Sequence, residues 1–364
     1  MALDRITLGH FRNHIASRLD GAAHLNLLIG ENGAGKTNVL EALSLLAPGR
    51  GLRRAALDAM AGSDGPGTFA VSAALDCEDG REPVILGTGT EADRPRRRVV
   101  QVNGAETSAV ALGEWLAVGW LTPAMDGLFT DSAGARRRYM DRLALALDPA
   151  HARHASRYEA ALRERNRLLA EDAEPDPRWF DAVEAQLAEA GAALATGRSA
   201  LVERLSEELT ALPEAPFARP ALSLAATGPR DAGGLADDFS RHRQRDRTAQ
   251  RTLAGPHRDD LVVTMAGKSV PAASCSTGEQ KAMLIAITLA HAGLAAAGRP
   301  GVLLLDEVAA HLDPVRREAL FERLSAGKAQ AWLTGTELAP FEGIRGEAAT
   351  WRVSGGQVER LSLG

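Results

Sequence analysis

Hydrophobic positions along the chain change their spacing twice, and the changes predict its organisation. Near the start they form short runs. Leu25-Asn26-Leu27-Leu28-Ile29 predicts a buried strand, and Val39, Leu40, Leu43 and Leu46 predict a helix over 38–47. Residues 2–8 predict an edge strand, with a second strand around 15–19. Alternating patterns over 68–75, 83–87 and 97–102 predict an antiparallel β segment, closed by an Asn103-Gly104 turn. From 134 to about 212 strand patterns vanish and Ala, Leu, Glu and Arg dominate, which predicts helices over 134–147, 149–170 and 176–212. Glu174-Pro175-Asp176-Pro177 breaks the last two, so an antiparallel helical hairpin is expected. A helix of roughly 22 residues would make it a stubby arm of about 33 Å. Heptads are not sustained, so no coiled coil is expected. A further helix is expected over 233–250. Beyond it come a strand over 261–265, an apolar helix stopped by Pro300-Gly301, a strand over 302–305 and a helix opened by Pro314. A buried strand over 329–333 and a hairpin of 351–353 with 357–361 follow.

Composition narrows the class. The chain has 364 residues, enough for two domains or one with a large insertion. Hydrophobic content of 45% and charged content of 24% suit a soluble globular protein. With a net charge of −5, nucleic-acid binding would need local basic patches. Three arginine clusters offer them: Arg50, Arg53 and Arg54; Arg94, Arg96, Arg97 and Arg98; and Arg241, Arg243, Arg245, Arg247 and Arg251. Aromatic content of 4% leaves little for a base-stacking platform, which favours duplex over single strands. Cys77 and Cys275 lie far apart without C-x-x-C spacing, arguing for a reducing compartment and no zinc site. Asp4 and Arg5 come too early for a cleavable signal. The run 282–297 is interrupted by Thr288 and His291 and is too short to span a bilayer, so a cytoplasmic protein with no membrane segment is expected.

Chemistry concentrates in a few stretches. Gly30-Glu31-Asn32-Gly33-Ala34-Gly35-Lys36-Thr37 fits G-x-x-x-x-G-K-[ST] at every fixed position, between a strand and a helix as that motif requires. Glycines let backbone N–H groups close around phosphate oxygens at a positive helix end. Lys36 is expected on the β- and γ-phosphates and Thr37 on Mg²⁺, so a nucleoside triphosphate is the predicted ligand. Only four lysines occur (Lys36, Lys268, Lys281, Lys328), so one in this slot is not background. Four apolar residues ending in Asp306-Glu307 supply the second half: Asp306 for Mg²⁺, Glu307 to orient or deprotonate a water. Ser276-Thr277-Gly278-Glu279-Gln280 opens the apolar helix, 30 residues before Asp306. Ser276 and Gly278 there can meet a phosphate through a hydroxyl and backbone N–H groups, or Ser276 and Glu279 can simply form a capping box.

Phosphate loop, Ser-x-Gly stretch and Asp-Glu pair together resemble the ATP-binding heads of the ABC type. That resemblance implies that Ser276 and Gly278 bind the γ-phosphate held by a second subunit, and that Asp313 lies across the dimer seam. The separation of 240 positions from Lys36 to Ser276 resembles the layout of SMC-type DNA-repair ATPases, whose arm divides the head. More specifically the chain resembles the RecF family. The carrying stretches are Leu8-Gly9-His10-Phe11-Arg12-Asn13, Gly30 to Asn38, Arg136-Arg137-Arg138-Tyr139-Met140-Asp141, Gly255-Pro256-His257-Arg258-Asp259-Asp260-Leu261, and Leu303 to Asp313 with Arg316 and Leu320. The expected fold is α/β: an ABC-type P-loop ATPase head with an antiparallel β segment and an inserted helical arm. Its halves are expected at 1–133 and 253–364 around an insertion at 134–252.

The resemblance implies ATP and Mg²⁺ as cofactors, an ATP-dependent homodimer, and double-stranded DNA near single-strand gaps as a partner. It further implies weak DNA-stimulated ATP hydrolysis, nucleoid association, and action with RecO and RecR in RecA loading and SOS induction. Ala124 and Asp131-Ser132-Ala133 depart from the family pattern, and no glutamine near 120–126 fits a Q-loop. Thr334-Gly335-Thr336 stands where a switch histidine is expected, which suits slow turnover. The alternatives are an ATPase coupled to a transporter and a scaffold that only binds ATP. No acidic cluster suggests a nuclease.

Overall fold

The computed structural model describes residues 3–63, 65–76, 82–171, 176–213 and 215–361. In chain order the strands and helices begin with Leu3–Phe11 (β1), His14–Asp20 (β2), Leu25–Ile29 (β3), Lys36–Ser44 (α1), Ala70–Leu75 (β4), Val84–Glu91 (β5) and Arg94–Val102 (β6). Ala105–Glu106 (β7), Leu112–Trp115 (α2), Ala117–Leu121 (β8), Ala133–Leu147 (α3), Ala150–Leu169 (α4) and Pro177–Ala211 (α5) follow. Then come Pro220–Ala225 (β9), Ala232–Arg241 (α6), Arg243–Thr248 (α7), Asp260–Met265 (β10), Val270–Pro271 (β11) and Thr277–Ala295 (α8). Gly301–Leu305 (β12), Pro314–Ala326 (α9), Gln330–Gly335 (β13), Ala348–Ser354 (β14) and Gln357–Leu361 (β15) complete the chain. Two compact units result: Met1–Asp126 with Glu214–Phe217 and Leu284–Gly364, and Gly127–Pro213 with Ala218–Met283. The division falls inside α8.

Two six-stranded sheets build the first unit. One is antiparallel, in the order β2-β1-β4-β5-β6-β7. The other runs β15-β14-β3-β13-β12-β8, parallel from β14 to β8, with β15 antiparallel at the edge. β3, β12 and β13 are buried at every residue, as parallel strands covered on both faces must be. Helix α1 touches β1 on one side and β13 and β8 on the other. One core therefore joins Leu3, Ile6 and Leu8 to Val39, Leu40, Trp332 and Trp351. Trp332 and Trp351 stack at 5.4 Å between centroids.

The second unit is largely helical. Tyr158 and Ala161 of α4 pack on Leu187, Ala188 and Leu194 of α5, and Leu235 and Phe239 of α6 close this core. A three-stranded antiparallel sheet, β11-β10-β9, accompanies it. Asp176 caps α5 by accepting from the Arg178 N–H, with Pro177 at the first turn. Glu174 and Pro175 of the expected break lie outside the described residues, as does Cys77. The ABC-type P-loop head with an antiparallel segment and inserted helices is thus the fold.

Several expectations need correction. β1 is no edge strand, because β4 pairs on the side opposite β2. The helix expected over 233–250 is two, α6 and α7, broken at His242. α5 has 35 residues, about 52 Å, so the stubby-arm length undershot it. β8 and β9 were not foreseen. The Asn103-Gly104 turn is as expected: φ values of 49° and 78° fit the left-handed pair that a two-residue hairpin needs, and it joins β6 to β7. Among the described residues no helix is long and apolar enough to cross a membrane.

Candidate nucleotide-binding site

Residues 30–35 connect β3 to α1, and their glycines are required by geometry. A Cβ on Gly30 would lie 2.1 Å from the Val353 carbonyl oxygen, and Gly35, the N-cap of α1, has φ of 117°. Gly33 has φ of 81° and open space where a side chain would stand, while Glu31 and Asn32 beside it are exposed. The loop is braced from behind. Asn13 Nδ2 and the Gly356 N–H each donate to the Ala34 carbonyl at 3.0 Å. His14, fully buried, sets Nε2 3.1 Å from the Gly35 carbonyl, and burial pulls its pKa below the ordinary histidine value.

Lys36 is buried and folds its Nζ back onto the carbonyls of Gly30 and Glu31, at 2.6 and 2.8 Å. Burial lowers its pKa, while the carboxylates of Glu307 and Asp306 act in the opposite sense. Thr37 Oγ1 donates to Asp306 Oδ1 at 2.9 Å, across 269 positions of sequence. Octahedral Mg²⁺ with ligands at roughly 2.0–2.1 Å spaces neighbouring oxygens about 2.9 Å apart, so this hydroxyl–carboxylate pair fits one edge of such a shell. Phosphate oxygens and waters are the usual remaining ligands. The loop and this pair therefore fit a Mg²⁺-nucleoside triphosphate.

Asp306 directly follows β12, anchored by its own N–H to the Leu121 carbonyl at 2.9 Å. Glu307 follows with φ of 53°, a left-handed conformation that costs a residue with a Cβ roughly 1–2 kcal/mol. Thr334 of β13 holds both: its hydroxyl accepts from the Glu307 N–H at 2.8 Å and donates to Asp306 Oδ1 at 2.9 Å. A second layer lies under α1. Glu41, fully buried, takes Nε and Nη2 of Arg12 at 3.0 and 2.8 Å, and Nη1 of Arg53 at 2.7 Å. Arg53 also donates to Asn38 Oδ1, and Asn38 Nδ2 donates to Asn13 Oδ1, both at 2.7 Å. Asn13 and Glu41 were not singled out from sequence as site residues, and Thr334 stood out only for the switch position where a histidine is expected. Asn13 carried a signal in the stretch ending Arg12-Asn13.

Residues 2–337 match the RecF/RecN/SMC N terminal domain family. The DNA replication and repair protein RecF of Mesorhizobium japonicum (strain LMG 29417 / CECT 9101 / MAFF 303099) is 48% identical, over 98% of this chain and 97% of that protein. The RecF of Brucella suis biovar 1 is 46% identical, over 98% and 96%. The chain belongs to the RecF family. A solved structure described as the recombination mediator protein RecF-ATPrS in the RecFOR pathway has the same fold, with a TM-score of 0.86 at 22% identity, covering 99% of this chain and 100% of that one. An Smc head domain from Pyrococcus furiosus follows at 0.55 and 16%, over 100% and 96%.

The two stretches most specific to the RecF family meet in the helical unit. Arg136 grips Asp260 with Nε at 2.9 Å and Nη2 at 2.7 Å, and Arg137 donates to the Asp259 carbonyl at 2.7 Å. Arg198 ties Asp141, at 2.8 and 2.9 Å, to Asp259, at 3.3 Å. His257 lies between the Tyr158 hydroxyl, 2.8 Å from Nδ1, and the Thr252 carbonyl, 3.1 Å from Nε2. Arg136, Arg137 and His257 are thus structural here, while Arg138 and Arg258 are exposed.

The remaining predicted residues are placed as follows. Ser276 and Glu279 form the capping box: the Ser276 N–H and Oγ both donate to Glu279 Oε2 at 2.9 Å, and the Glu279 N–H donates to Ser276 Oγ at 3.3 Å. Those bonds, with Lys268 at 3.1 Å, hold the Glu279 pKa down to about 2. Gly278 sits in the first turn of α8. Asp313 caps α9 by accepting from the Arg316 N–H at 3.0 Å. Among the arginine clusters Arg98, Arg243 and Arg53, the last held by Glu41 and Asn38, are engaged within the protein. Arg98 bonds the carbonyls of Leu45, Ala47 and Gly49 at the end of α1, and burial lowers its pKa to about 10. Arg243 is bound to Glu184 and Asp181. Arg50, Arg54 and Arg96 are exposed.

Proposed function

We propose that the chain is an ATP-dependent DNA-binding protein of recombinational gap repair and replication. Its weak, DNA-stimulated ATPase resets a dimer that forms on ATP. The observation that carries this reading is the Thr37–Asp306 contact at 2.9 Å beside the phosphate loop and Glu307. Gly30 to Asn38, including Glu31, Asn32 and Ala34, form the phosphate-binding loop and helix start. The Gly30, Ala34 and Asn38 N–H groups bond the Gly335, Glu31 and Gly35 carbonyls, the other backbone N–H groups take the phosphates, and Lys36 neutralises charge on the β- and γ-groups. Thr37 and Asp306 would hold Mg²⁺, which would supply further charge neutralisation at the same oxygens. Glu307 orients the attacking water and accepts its proton. In the dimer Ser276 and Gly278 of one protomer cap the γ-phosphate bound by the other, with Asp313 at the seam. The head halves are 1–133 and 253–364, and 134–252 is the inserted lobe.

Duplex DNA beside a single-strand gap is the proposed target, contacted through phosphates by Arg50, Arg54 and Arg96. Sequence-blind, salt-sensitive binding follows from such contacts. RecR and RecO are the proposed partners in RecA loading and SOS induction, at the nucleoid in the cytoplasm. The names of the relatives and the RecFOR description of the similar structure support this assignment.

The test is fluorescence anisotropy of a labelled gapped duplex titrated with protein. Tight binding is expected with ATP and Mg²⁺, weaker binding without nucleotide or in Lys36→Ala, and stronger binding in Glu307→Gln. Binding that ignores nucleotide in all three proteins would overturn the reading.

A further inference from the structure

We infer that Thr334 is a positioning residue for ATP hydrolysis: its hydroxyl sets the directions of the Glu307 and Asp306 carboxylates. The inference rests on the function proposed above and assigns to that site a residue on a different strand. Thr334 lies in β13, 1% exposed, beside the C-terminal end of β12. A hydroxyl has one proton to give and two lone pairs. Here the proton goes to Asp306 Oδ1 at 2.9 Å, and one lone pair takes the Glu307 N–H at 2.8 Å. No other side-chain type at this position supplies both at that reach except serine.

The two bonds act on different variables. The Asp306 carboxylate accepts from Thr334 and from Thr37, both on Oδ1 at 2.9 Å, so its ring of lone pairs is fixed from two sides. Oδ2 keeps a longer contact with Thr37 at 3.2 Å and is the oxygen with more freedom to face a cation. The bond to the Glu307 N–H fixes the peptide plane between Asp306 and Glu307, where the chain leaves β12. Glu307 then adopts φ of 53°, which a residue with a side chain keeps only where its surroundings impose it. That turn decides where the Glu307 carboxylate goes. Losing the hydroxyl frees the peptide plane to relax and lets Glu307 swing away from the reacting water. The Thr334 hydroxyl bonds Asp306 and the Glu307 N–H, and the backbone N–H groups and Lys36 that would meet the phosphates are not among its partners, so nucleotide affinity without metal is expected to hold.

The experiment compares wild type, Thr334→Val, Thr334→Ser and Glu307→Gln. It reads three quantities: ATP turnover, binding of a fluorescent ATP analogue with and without Mg²⁺, and the thermal midpoint. Thr334→Val is expected to lower kcat about 100-fold, the scale of a misplacement of about 1 Å. Its analogue affinity without Mg²⁺ is expected to match wild type, and its half-saturating Mg²⁺ concentration to rise severalfold. Thr334→Ser is expected to restore most of both. Thr334→Ala, which leaves room for a water, is measured in parallel with the same split expected, in case the valine protein does not fold. Wild-type kcat and Mg²⁺ dependence in Thr334→Val or Thr334→Ala would overturn the inference. So would a loss of metal-free analogue binding in step with the thermal midpoint, since that marks a purely structural role. Equal turnover by wild type and Glu307→Gln would instead remove the role given to Glu307, and the inference with it.

Discussion

His257 offers a quantitative test of how the helical unit is held together. Its Nδ1 faces the Tyr158 hydroxyl and its Nε2 the Thr252 carbonyl, at 2.8 and 3.1 Å, which suits a neutral ring donating from Nε2 and accepting at Nδ1. The Tyr158 oxygen also takes the His257 backbone N–H at 3.4 Å, which leaves its own proton free to go to Nδ1. Burial, reinforced by Arg258, Arg137 and Arg165, lowers the ring pKa from 6.5 to about 4, against the Thr252 carbonyl, which favours the charged form. Between those pH values the unfolded chain binds a proton that the folded chain excludes. Stability is therefore complete above pH 6.5 and falls as the pH drops towards 4. At ~1.4 kcal/mol per unit the loss is about 2 kcal/mol at pH 5 and about 3 kcal/mol near pH 4. Glutamine can donate to Thr252 and accept from Tyr158 without titrating, so His257→Gln isolates the effect. Urea unfolding of both proteins, followed by circular dichroism at pH 7 and pH 5, gives the difference. Wild type should lose about 2 kcal/mol more than His257→Gln, and an NMR titration should find the ring neutral at pH 5. A ring that titrates near 6.5, or equal losses in the two proteins, would refute the reasoning.

Three further outcomes are expected. A double-mutant cycle of Arg12→Ala with Glu41→Gln should give a coupling of about 2 kcal/mol in denaturant, because Glu41 is fully buried and Arg12 grips both its oxygens; a value below about 0.5 kcal/mol would count against it. Gly30→Ala should abolish binding of a fluorescent ATP analogue, since its Cβ would lie 2.1 Å from the Val353 oxygen, whereas Gly33→Ala meets open space and should cost only about 1–2 kcal/mol for its positive φ. Equal effects would show that the loop is not shaped by that contact. Replacing Arg50, Arg54 and Arg96 with serine should weaken duplex binding and reduce the salt slope by about 3, and an unchanged slope would exclude them from the DNA face.

What the sequence displayed was local. Phosphate loop, preceding strand and following helix lie within about twenty residues, and each carries a pattern with a period, so all three were legible. β1 as an interior strand was not, because β4 begins at Ala70, far beyond the window in which alternation is read. β9 opens on Pro220 and lies at a sheet edge, where proline is tolerated but removes the usual strand signature. His242 breaks a helix with no glycine or proline to announce it. Among the arginines even alternation fails. Arg96 and Arg98 share a strand face by parity, yet Arg96 exposes 88% of its side chain while Arg98 closes on the end of α1.

The same limit explains why the roles of two of the family-matching stretches could not be read from sequence, although in the structure they serve to hold it together. A charged side chain inside a protein is tolerated only when its partners arrive in fixed geometry, and those partners sit elsewhere in the sequence. Arg136 meets Asp260 across 124 positions, and Arg198 meets Asp141 and Asp259 across 57 and 61. Asp141 shows the balance: burial pushes its carboxyl up, His151 and Arg198 pull it down, and the net shift is downward. Removing Arg198 would leave the buried Asp259 carboxylate without its cation, which costs more than the pair itself contributes. Each stretch therefore constrains the other as tightly as a catalytic pair would. Specificity of sequence alone cannot separate the two cases. The separation comes from exposure and partners: Thr37 bonds Asp306 beside a phosphate loop whose Glu31, Asn32 and Gly33 are exposed, while Asp259 and Arg198 are buried and face each other.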